Sequence, residues 1–596
     1  MDRRNFVKSA ALAPLAASAL RPSFAALPQP APKTETGPAA TASGTPIHDR
    51  YEVTLNRILH GDAPAYTEDF VLEDVKATPS RRFTEFSGDV SGRYIGALAT
   101  ASRVYGTSFP ALDGLVAKTI ALQKPDGYFG STFHYDHPTD NDLALLWGNG
   151  RLLVGLLEYY RLKPSPAVLA ACKRLGDFLV RIGPLMLSER TRSEFGAQHF
   201  ASSYICWTQQ TEGLANLYEV TGDERYRKLT EQIIAVTERR PSDHVHGYLS
   251  SLRGAMDLYR MTSDAAILAR CEAAWTDITQ SPDLLITGGV PEGWSPNNHR
   301  TEGCGEADWL RLNLMLWKAT GKPQYLAMAE RTTFNEFAFN QFSSGDFGHH
   351  VFTETGLPAG GAVRAWWCCT LHGLRCFPDI QGSAFRSGNG GLGGLSFDLP
   401  VDGRIETASL SATSVSSLAH DGTVRITVRP GKSAGAGAQI LRVRKPEWAA
   451  IVTVRVNGAV DPAPIEDGYA KIERAWHDSD VVAVHYGMTL RSEPSGKDRV
   501  SYFFGPWLLG AAASENFGYF NELTAENKLT GPAHAANGSP LAVHPKFAVP
   551  LAAMAFEYIP AEFPEQPATV TLRAIAEQGG QPTTSWELRF LRRDSA

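Results

Sequence analysis

Between about residues 47 and 389 the sequence repeats one pattern: a helix-length apolar stripe, a short breaker, and another stripe. Asp89–Tyr105, Phe109–Gln123, Asp142–Arg161 and Pro166–Ile182 each carry apolar residues at three- and four-residue steps. Trp207–Val220, Glu224–Arg239, Gly247–Met261, Asp264–Thr279, Gly305–Ala319 and Pro323–Phe342 do the same. Thr221-Gly-Asp223, Thr262-Ser-Asp264 and Thr320-Gly-Lys-Pro323 each join a helix stop to the cap or N1 proline of the next helix. With further candidates near residues 48–60 and 370–386 the segments approach twelve. Paired helices of irregular spacing predict an (α/α)6 toroid rather than an open solenoid. In a toroid the inner helix ends and their loops converge on one cleft, so residues far apart in sequence meet there.

The residues that bear chemistry fall in the later helices. Arg364-Ala-Trp-Trp-Cys-Cys-Thr370 contains adjacent thiols, and neighbouring cysteines seldom bond to each other because the short ring is strained. Such a pair more often shares a soft metal or supplies a reactive thiolate. Thr301-Glu-Gly-Cys304 adds a carboxylate and a third thiol. Glu302, Cys304, Cys368 and Cys369 together form a ligand set that suits tetrahedral zinc. The alternative is three buried cysteines that pack as small hydrophobes. His134 with His137, or His349 with His350, are alternative pairs for a metal, and Asp126 either caps a turn or belongs to a binding site.

After about Gly390 the texture changes to short β-rich runs. Val424–Val428, Gln439–Val443, Val452–Val456, Tyr469–Glu473 and Val481–Tyr486 are separated by turn signals such as Asn457-Gly458. Val500–Leu509, Ala568–Ala574 and Trp586–Leu591 continue the pattern, interrupted by a polar stretch from about Ala525 to Ser539. The prediction is a multidomain α + β chain, a toroid at 47–389 followed at 390–596 by one or two small β-sandwiches.

A chain of 596 residues holds two or three domains. Its formal net charge of -6 offers no basic surplus for nucleic acid, and no run of eighteen apolar residues could span a bilayer. Arg3-Arg4-Asn5-Phe6-Val7-Lys8, the apolar Ala10 to Leu20 and Ser23-Phe24-Ala25 read as a twin-arginine signal at 1–26, which predicts export to the periplasm or beyond. The Pro-, Ala- and Thr-rich residues 27–46 read as a disordered linker. The seven cysteines (172, 206, 271, 304, 368, 369, 376) cannot all pair and are too few for a disulfide scaffold.

The C-terminal pattern carries a resemblance. Leu441-Arg-Val-Arg-Lys-Pro-Glu-Trp448, Val456-Asn-Gly458, Gly468-Tyr469, Trp476 and Phe504-Gly-Pro506 resemble the sandwich of the β-L-arabinofuranosidase family, glycoside hydrolase family 127. The family's Glu-x-Cys and Cys-Cys motifs match Glu302–Cys304 and Cys368–Cys369. Its upstream acid looks like Glu292 in Thr287-Gly-Gly-Val-Pro-Glu-Gly293. The chain departs from the family at Trp147-Gly-Asn-Gly-Arg151, where a family helix presents a histidine. The resemblance implies an (α/α)6 barrel with β-sandwich modules and a zinc held by Glu302, Cys304, Cys368 and Cys369. It further implies a retaining glycosidase with Cys368 as nucleophile and Glu292 as acid/base, acting on β-L-arabinofuranosides or a related sugar.

A zinc-bound thiolate can replace the usual carboxylate nucleophile, because the metal keeps the sulfur ionised. Trp366, Trp367, Trp207, Trp294 and Tyr248 are candidate platforms for sugar faces. His246 is a candidate for substrate hydroxyls. The rival readings are a polysaccharide lyase or another hydrolase on the same toroid, and a non-catalytic carbohydrate-binding protein.

Overall fold

Among the described residues twelve helices run eight residues or longer, and they alternate between two concentric rings. They are α1 (Pro46–His60), α2 (Asp89–Tyr105), α3 (Leu112–Ala121), α4 (Asp140–Leu162), α5 (Pro166–Met186) and α6 (Gln210–Thr221). They continue as α7 (Glu224–Val236), α8 (Val245–Thr262), α9 (Ala265–Thr279), α10 (Gly303–Thr320), α11 (Pro323–Thr332) and α12 (Trp367–Leu374). The structure is a computed structural model. It describes residues 35–37, 46–77, 86–196, 203–237, 244–294, 300–388, 394–432, 437–496, 499–516, 542–545, 554–559, 568–577 and 582–591. The expected signal at 1–26, most of the linker and the stretch 525–539 lie outside the described residues.

The even-numbered helices touch in the order α2, α4, α6, α8, α10 and α12, and α12 returns to α2, which closes the inner ring. Each odd-numbered helix backs an even one: α3 on α2, α5 on α4, α7 on α6 and α8, α9 on α8, α11 on α10 and α1 on α12. Burial follows this division. Every residue of α4 from Asp142 to Leu157 is buried, whereas α5 buries one stripe that includes Val168, Leu175, Phe178 and Ile182. A helix buried on all sides belongs inside a ring, and an amphipathic one belongs at its rim. The expected joints hold: Gly222, Ser263 and Gly321 each close a helix in the left-handed conformation.

Two of the expected helices are interrupted. Trp207–Val220 divides at Gln209 into Ile205–Thr208 and α6. Pro323–Phe342 becomes α11, then a π turn at Thr333–Phe337. That turn carries Asn335, whose side chain donates to Pro506 O at 3.0 Å and accepts from Leu508 N at 2.6 Å. The widened turn thereby ties the toroid to the C-terminal sheet.

The β part begins at Phe385–Ser387, a few residues before the expected boundary. A seven-stranded and a five-stranded sheet enclose Val424, Ile426, Leu441, Val443, Ile472, Val482 and Val484, all buried in the main core. Three residues of the expected linker, Glu35–Gly37, form an edge strand of the first sheet, paired with Arg404–Glu406. The open N–H and C=O groups of an edge accept such a strand whatever its side chains. The described strands of residues 490–591 fall in a single sheet. They supply one nine-stranded sheet that also takes in Gly356–Leu357 from the toroid segment. Its apolar face meets Phe339 and Phe352, so the toroid itself serves as the opposing layer. A buried ion pair of Arg444 with Glu330 (3.0 Å) joins sandwich to α11. No helix among the described residues is long and apolar enough to cross a membrane.

Candidate active site

Two local structures deliver side chains to one cavity of about 480 Å³. The first is the ring of inner helices. α2, α8, α10 and α12 turn their N-terminal residues towards the cavity: Asp89, His246, the N-cap residue Glu302, Trp367 and Cys368. The second is a three-stranded sheet, Arg300–Glu302, Gly348–Val351 and Ala362–Ala365, in that order. Glu302 stands opposite His349, and His349 opposite Arg364. Directly opposed residues share a sheet face, as do residues two apart. Arg300, Glu302, His349 and Arg364 accordingly all line the cavity.

The strand ending at Glu302 runs straight into α10, and the strand at Ala362–Ala365 leads into α12 after Trp366. These two junctions bring Glu302, Cys304, Cys368 and Cys369 together, with one donor atom of each within 4.8 Å of the others. Cys304 Sγ lies 3.7 Å from Cys369 Sγ, and Cys368 Sγ 4.0 Å from Cys369 Sγ. A tetrahedron with Zn–S bonds of about 2.3 Å has an S–S edge of about 3.8 Å, so the donor set fits zinc in type and spacing. Burial pushes all three thiols well above their ordinary range, so holding them as thiolates requires a cation. Burial would also raise the Glu302 carboxyl, but His244, donating at 2.8 Å, holds it below the usual carboxylate range. Exposure separates the sulfurs: Cys304 and Cys369 are 0% exposed, whereas Cys368 is 8% exposed and lines the cavity.

Glu292 reaches the same wall from the loop before α10. Its backbone N–H donates to Arg300 O (2.7 Å) and its carbonyl accepts from Val245 N (2.9 Å), which fixes the loop between α8 and the small sheet. Its carboxylate pairs with the Arg300 guanidinium and lies 3.5 Å from His349 Nε2. Glu292, Glu302 and His244 also come within 4.8 Å of one another.

Behind the cavity lies a buried polar network centred on Asp308. One carboxylate oxygen accepts from His246 Nδ1 (2.7 Å) and Ser250 Oγ (2.6 Å), the other from His372 Nε2 and Arg253 Nη1 (both 2.6 Å). Burial opposes this charge, yet His372, Arg253 and His246 hold the Asp308 carboxyl well below its ordinary range. The other nitrogen of His246 faces Arg93 (2.9 Å) and Arg151 (3.3 Å); both can only donate, so His246 is neutral with its proton on Nδ1. Burial first, and Arg151 second, lower its pKa to about 4. His246, Asp308 and His372 also satisfy a metal-like spacing. The arginines put positive charge where a second cation would sit, so these residues form a hydrogen-bond network.

The aromatic candidates separate cleanly. Trp366 and Trp367 stack with ring centroids 6.1 Å apart and line the cavity. Trp207, Trp294 and Tyr248 do not line it: all three are buried in the core, the last two edge-to-face. Neither alternative histidine pair forms a metal site. His134 pairs with Asp142 and His137 with Glu194. His349 and His350 alternate across their strand, the first towards the cavity and the second towards Phe339 and Phe342. Asp126 accepts from Tyr135.

Sequence reasoning missed Asp89, Arg93, Arg300 and the Asp308 network; it took His349 only as half of a metal pair with His350, and Arg364 only as the start of the thiol motif. A Gly-free polar run at Thr301–Glu302 and the alternation around His349 were the available signals. Trp147, noted as a departure, lines the cavity and donates to Asp89 at 3.1 Å.

Residues 63–382 match the family model for the β-L-arabinofuranosidase GH127 catalytic domain, and residues 399–488 match that for the GH127 middle domain. No curated protein matches the chain. Among solved structures, a GH127 β-L-arabinofuranosidase from Geobacillus stearothermophilus T6 is similar, at 18% identity and a TM-score of 0.67, with 92% of this chain and 99% of that one covered. A second GH127 β-arabinofuranosidase shares 16% identity at a TM-score of 0.68, covering 94% and 98%. At these identities the likeness is one of fold.

Proposed function

The chain belongs to the GH127 β-L-arabinofuranosidase family, and from that premise we propose that it is a retaining glycoside hydrolase with Cys368 as nucleophile. The substrate we propose is a furanoside such as a β-L-arabinofuranoside. The observation that carries the reading is that Cys368 is the sulfur of its cluster with a face on the cavity, in one wall with Glu292.

Zinc, when held by Glu302, Cys304, Cys368 and Cys369, keeps the Cys368 sulfur ionised at neutral pH. The sulfur then attacks the anomeric carbon while the bond to the leaving oxygen breaks. Glu292 gives that oxygen its proton. In the second half Glu292 takes a proton from water, the water oxygen bonds to the anomeric carbon, and the carbon–sulfur bond breaks. Two inversions leave the configuration unchanged. His244 holds Glu302 in place, and the Asp308 network fixes His246 beside Arg93. Trp366 and Trp367 offer flat apolar surface to the sugar. The twin-arginine reading extends the proposal to export of the folded, metal-loaded protein.

The test uses zinc-loaded protein and an aryl β-L-arabinofuranoside, with the first-formed anomer read by NMR. Cys368→Ala should abolish turnover by several orders of magnitude with the fold retained, and trapped sugar should map to the Cys368 peptide. Inversion would overturn the mechanism, and a label on Glu292 or Glu302 would move the nucleophile there.

A further inference from the structure

We propose that this cavity takes a sugar bearing a carboxylate, and that Arg364 is the residue that reads it. The inference rests on the glycosidase reading of the same cavity and narrows its substrate class.

The argument is a matching of charges along the wall. Asp89 is bonded to Arg93 at 2.8 Å, Glu302 to His244 at 2.8 Å, and Glu292 is paired with Arg300. Each wall carboxylate therefore already has a basic partner. Arg364 remains: its guanidinium lies 3.7 Å from the centroid of the Trp366 ring, and it lines the cavity without an ion pair to any described carboxylate. Stacking on an indole fixes the plane of a guanidinium and leaves its edge N–H groups free. That geometry suits the bidentate recognition of a carboxylate.

Position supports the same reading. Arg364 is in line with His349 and Glu302 across three strands. Two strand spacings, about 10 Å in total, separate its backbone from that of Glu302, with His349 on the strand between them. Arg300, two residues before Glu302 on the same face and with a side chain 44% exposed, adds a second cation nearby. The N-termini of α2, α8, α10 and α12 bring further partial positive charge to the cavity. The whole chain carries a net charge of -6, so the attraction is local to this wall.

The test measures binding of pentose and hexose uronates and of the matching neutral sugars to the zinc-loaded full chain, by calorimetry at low salt. The expected result is a preference of about tenfold or more for at least one uronate, in line with a charge-assisted hydrogen-bond pair. Salt should weaken the preference, Arg364→Gln should erase it, and Arg364→Lys should keep only part of it. Equal binding of uronates and neutral sugars would overturn the inference. So would an Arg364→Gln variant that weakens both classes alike, since the guanidinium would then merely prop Trp366. Binding needs no turnover, so the two readings fail separately. A uronate preference in a protein that hydrolyses no glycoside refutes only the proposed function. Hydrolysis of a neutral aryl furanoside without that preference refutes only this inference.

Discussion

Gly303 and Gly305 flank Cys304, and one methyl group added to each should have opposite consequences. At Gly303 a Cβ would meet Asn340 Oδ1 at 2.7 Å and the Cβ atoms of Cys369 and Phe347 at 3.0 Å. Asn340 cannot simply swing away, because its Oδ1 accepts from Gly348 N at 3.0 Å and its Nδ2 faces His350 at 3.2 Å. The strain is relieved by moving the start of α10 away from α12, which pulls Cys304 from Cys369. Overpacking of this kind costs about 1–3 kcal/mol. Expressed wholly in metal binding, that is about a 5- to 150-fold loss of affinity. At Gly305 the nearest atom is His246 N at 4.0 Å, an ordinary contact, and the change favours the helix by up to about 1 kcal/mol. The assay is chelator competition on zinc-loaded protein, with thermal unfolding alongside. Gly303→Ala should release zinc at lower chelator concentration and melt earlier, while Gly305→Ala should match or exceed the parent in both. If Gly303→Ala retains zinc and melts like the parent, the approach of α10 to α12 does not set the sulfur spacing.

Three further outcomes follow from the site. Purified protein should carry about one zinc per chain, and Cys304→Ser and Cys369→Ser should each lower occupancy and stability; full zinc in both under mild chelation would rule out the ligand set. Glu292→Gln should keep fold and zinc yet slow glycosides with poor leaving groups most, as seen in kcat/KM across a leaving-group series; a uniform loss would argue against general-acid duty. His246, enclosed by Arg93, Arg151, Asp308 and His372, has its pKa lowered from 6.5 to about 4, so between these pH values the unfolded chain binds a proton that the native one refuses. Stability is therefore full above pH 6.5 and falls by about 3 kcal/mol towards pH 4. Denaturant midpoints against pH should show this slope, shallower in His246→Gln; an unchanged slope would place the titration elsewhere.

What the sequence made legible is what local chemistry determines. Helix ends at Thr221-Gly222 and Thr320-Gly321 are signalled by residues within one turn, and the structure closes both with left-handed glycines. The grouping of Glu302, Cys304, Cys368 and Cys369 was readable because four metal-binding side chains in two short motifs have few other uses in a buried place. The small sheet was not readable. Its strands are three to four residues long, and the first pairs with the second across a gap of tens of residues. No window of sequence contains the row Glu302, His349, Arg364. Aromatics failed for a related reason. Trp294 follows Glu292 on a loop and Trp207 sits on the short helix Ile205–Thr208; the direction of each ring is decided by packing that no local window of sequence contains, and both face the core.

The four-ligand cluster poses a last question, because such a donor set is ordinarily a closed structural site. The distribution of exposure bears on it. Cys304 is sealed under α2, where Arg93 reaches its sulfur at 3.7 Å, and Cys369 is wholly enclosed. Glu302 is held by His244. Cys368 differs from the other two cysteines because it lines the cavity, as the second residue of α12, preceded by Trp366 and Trp367 at the cavity edge. Its sulfur belongs to the cluster, and the residue lines the cavity. A structural site would gain from burying all four ligands alike. On the proposed mechanism the difference among the sulfurs is the functional feature: Cys304 and Cys369 are enclosed, while Cys368 lines the cavity in which a sugar would bind.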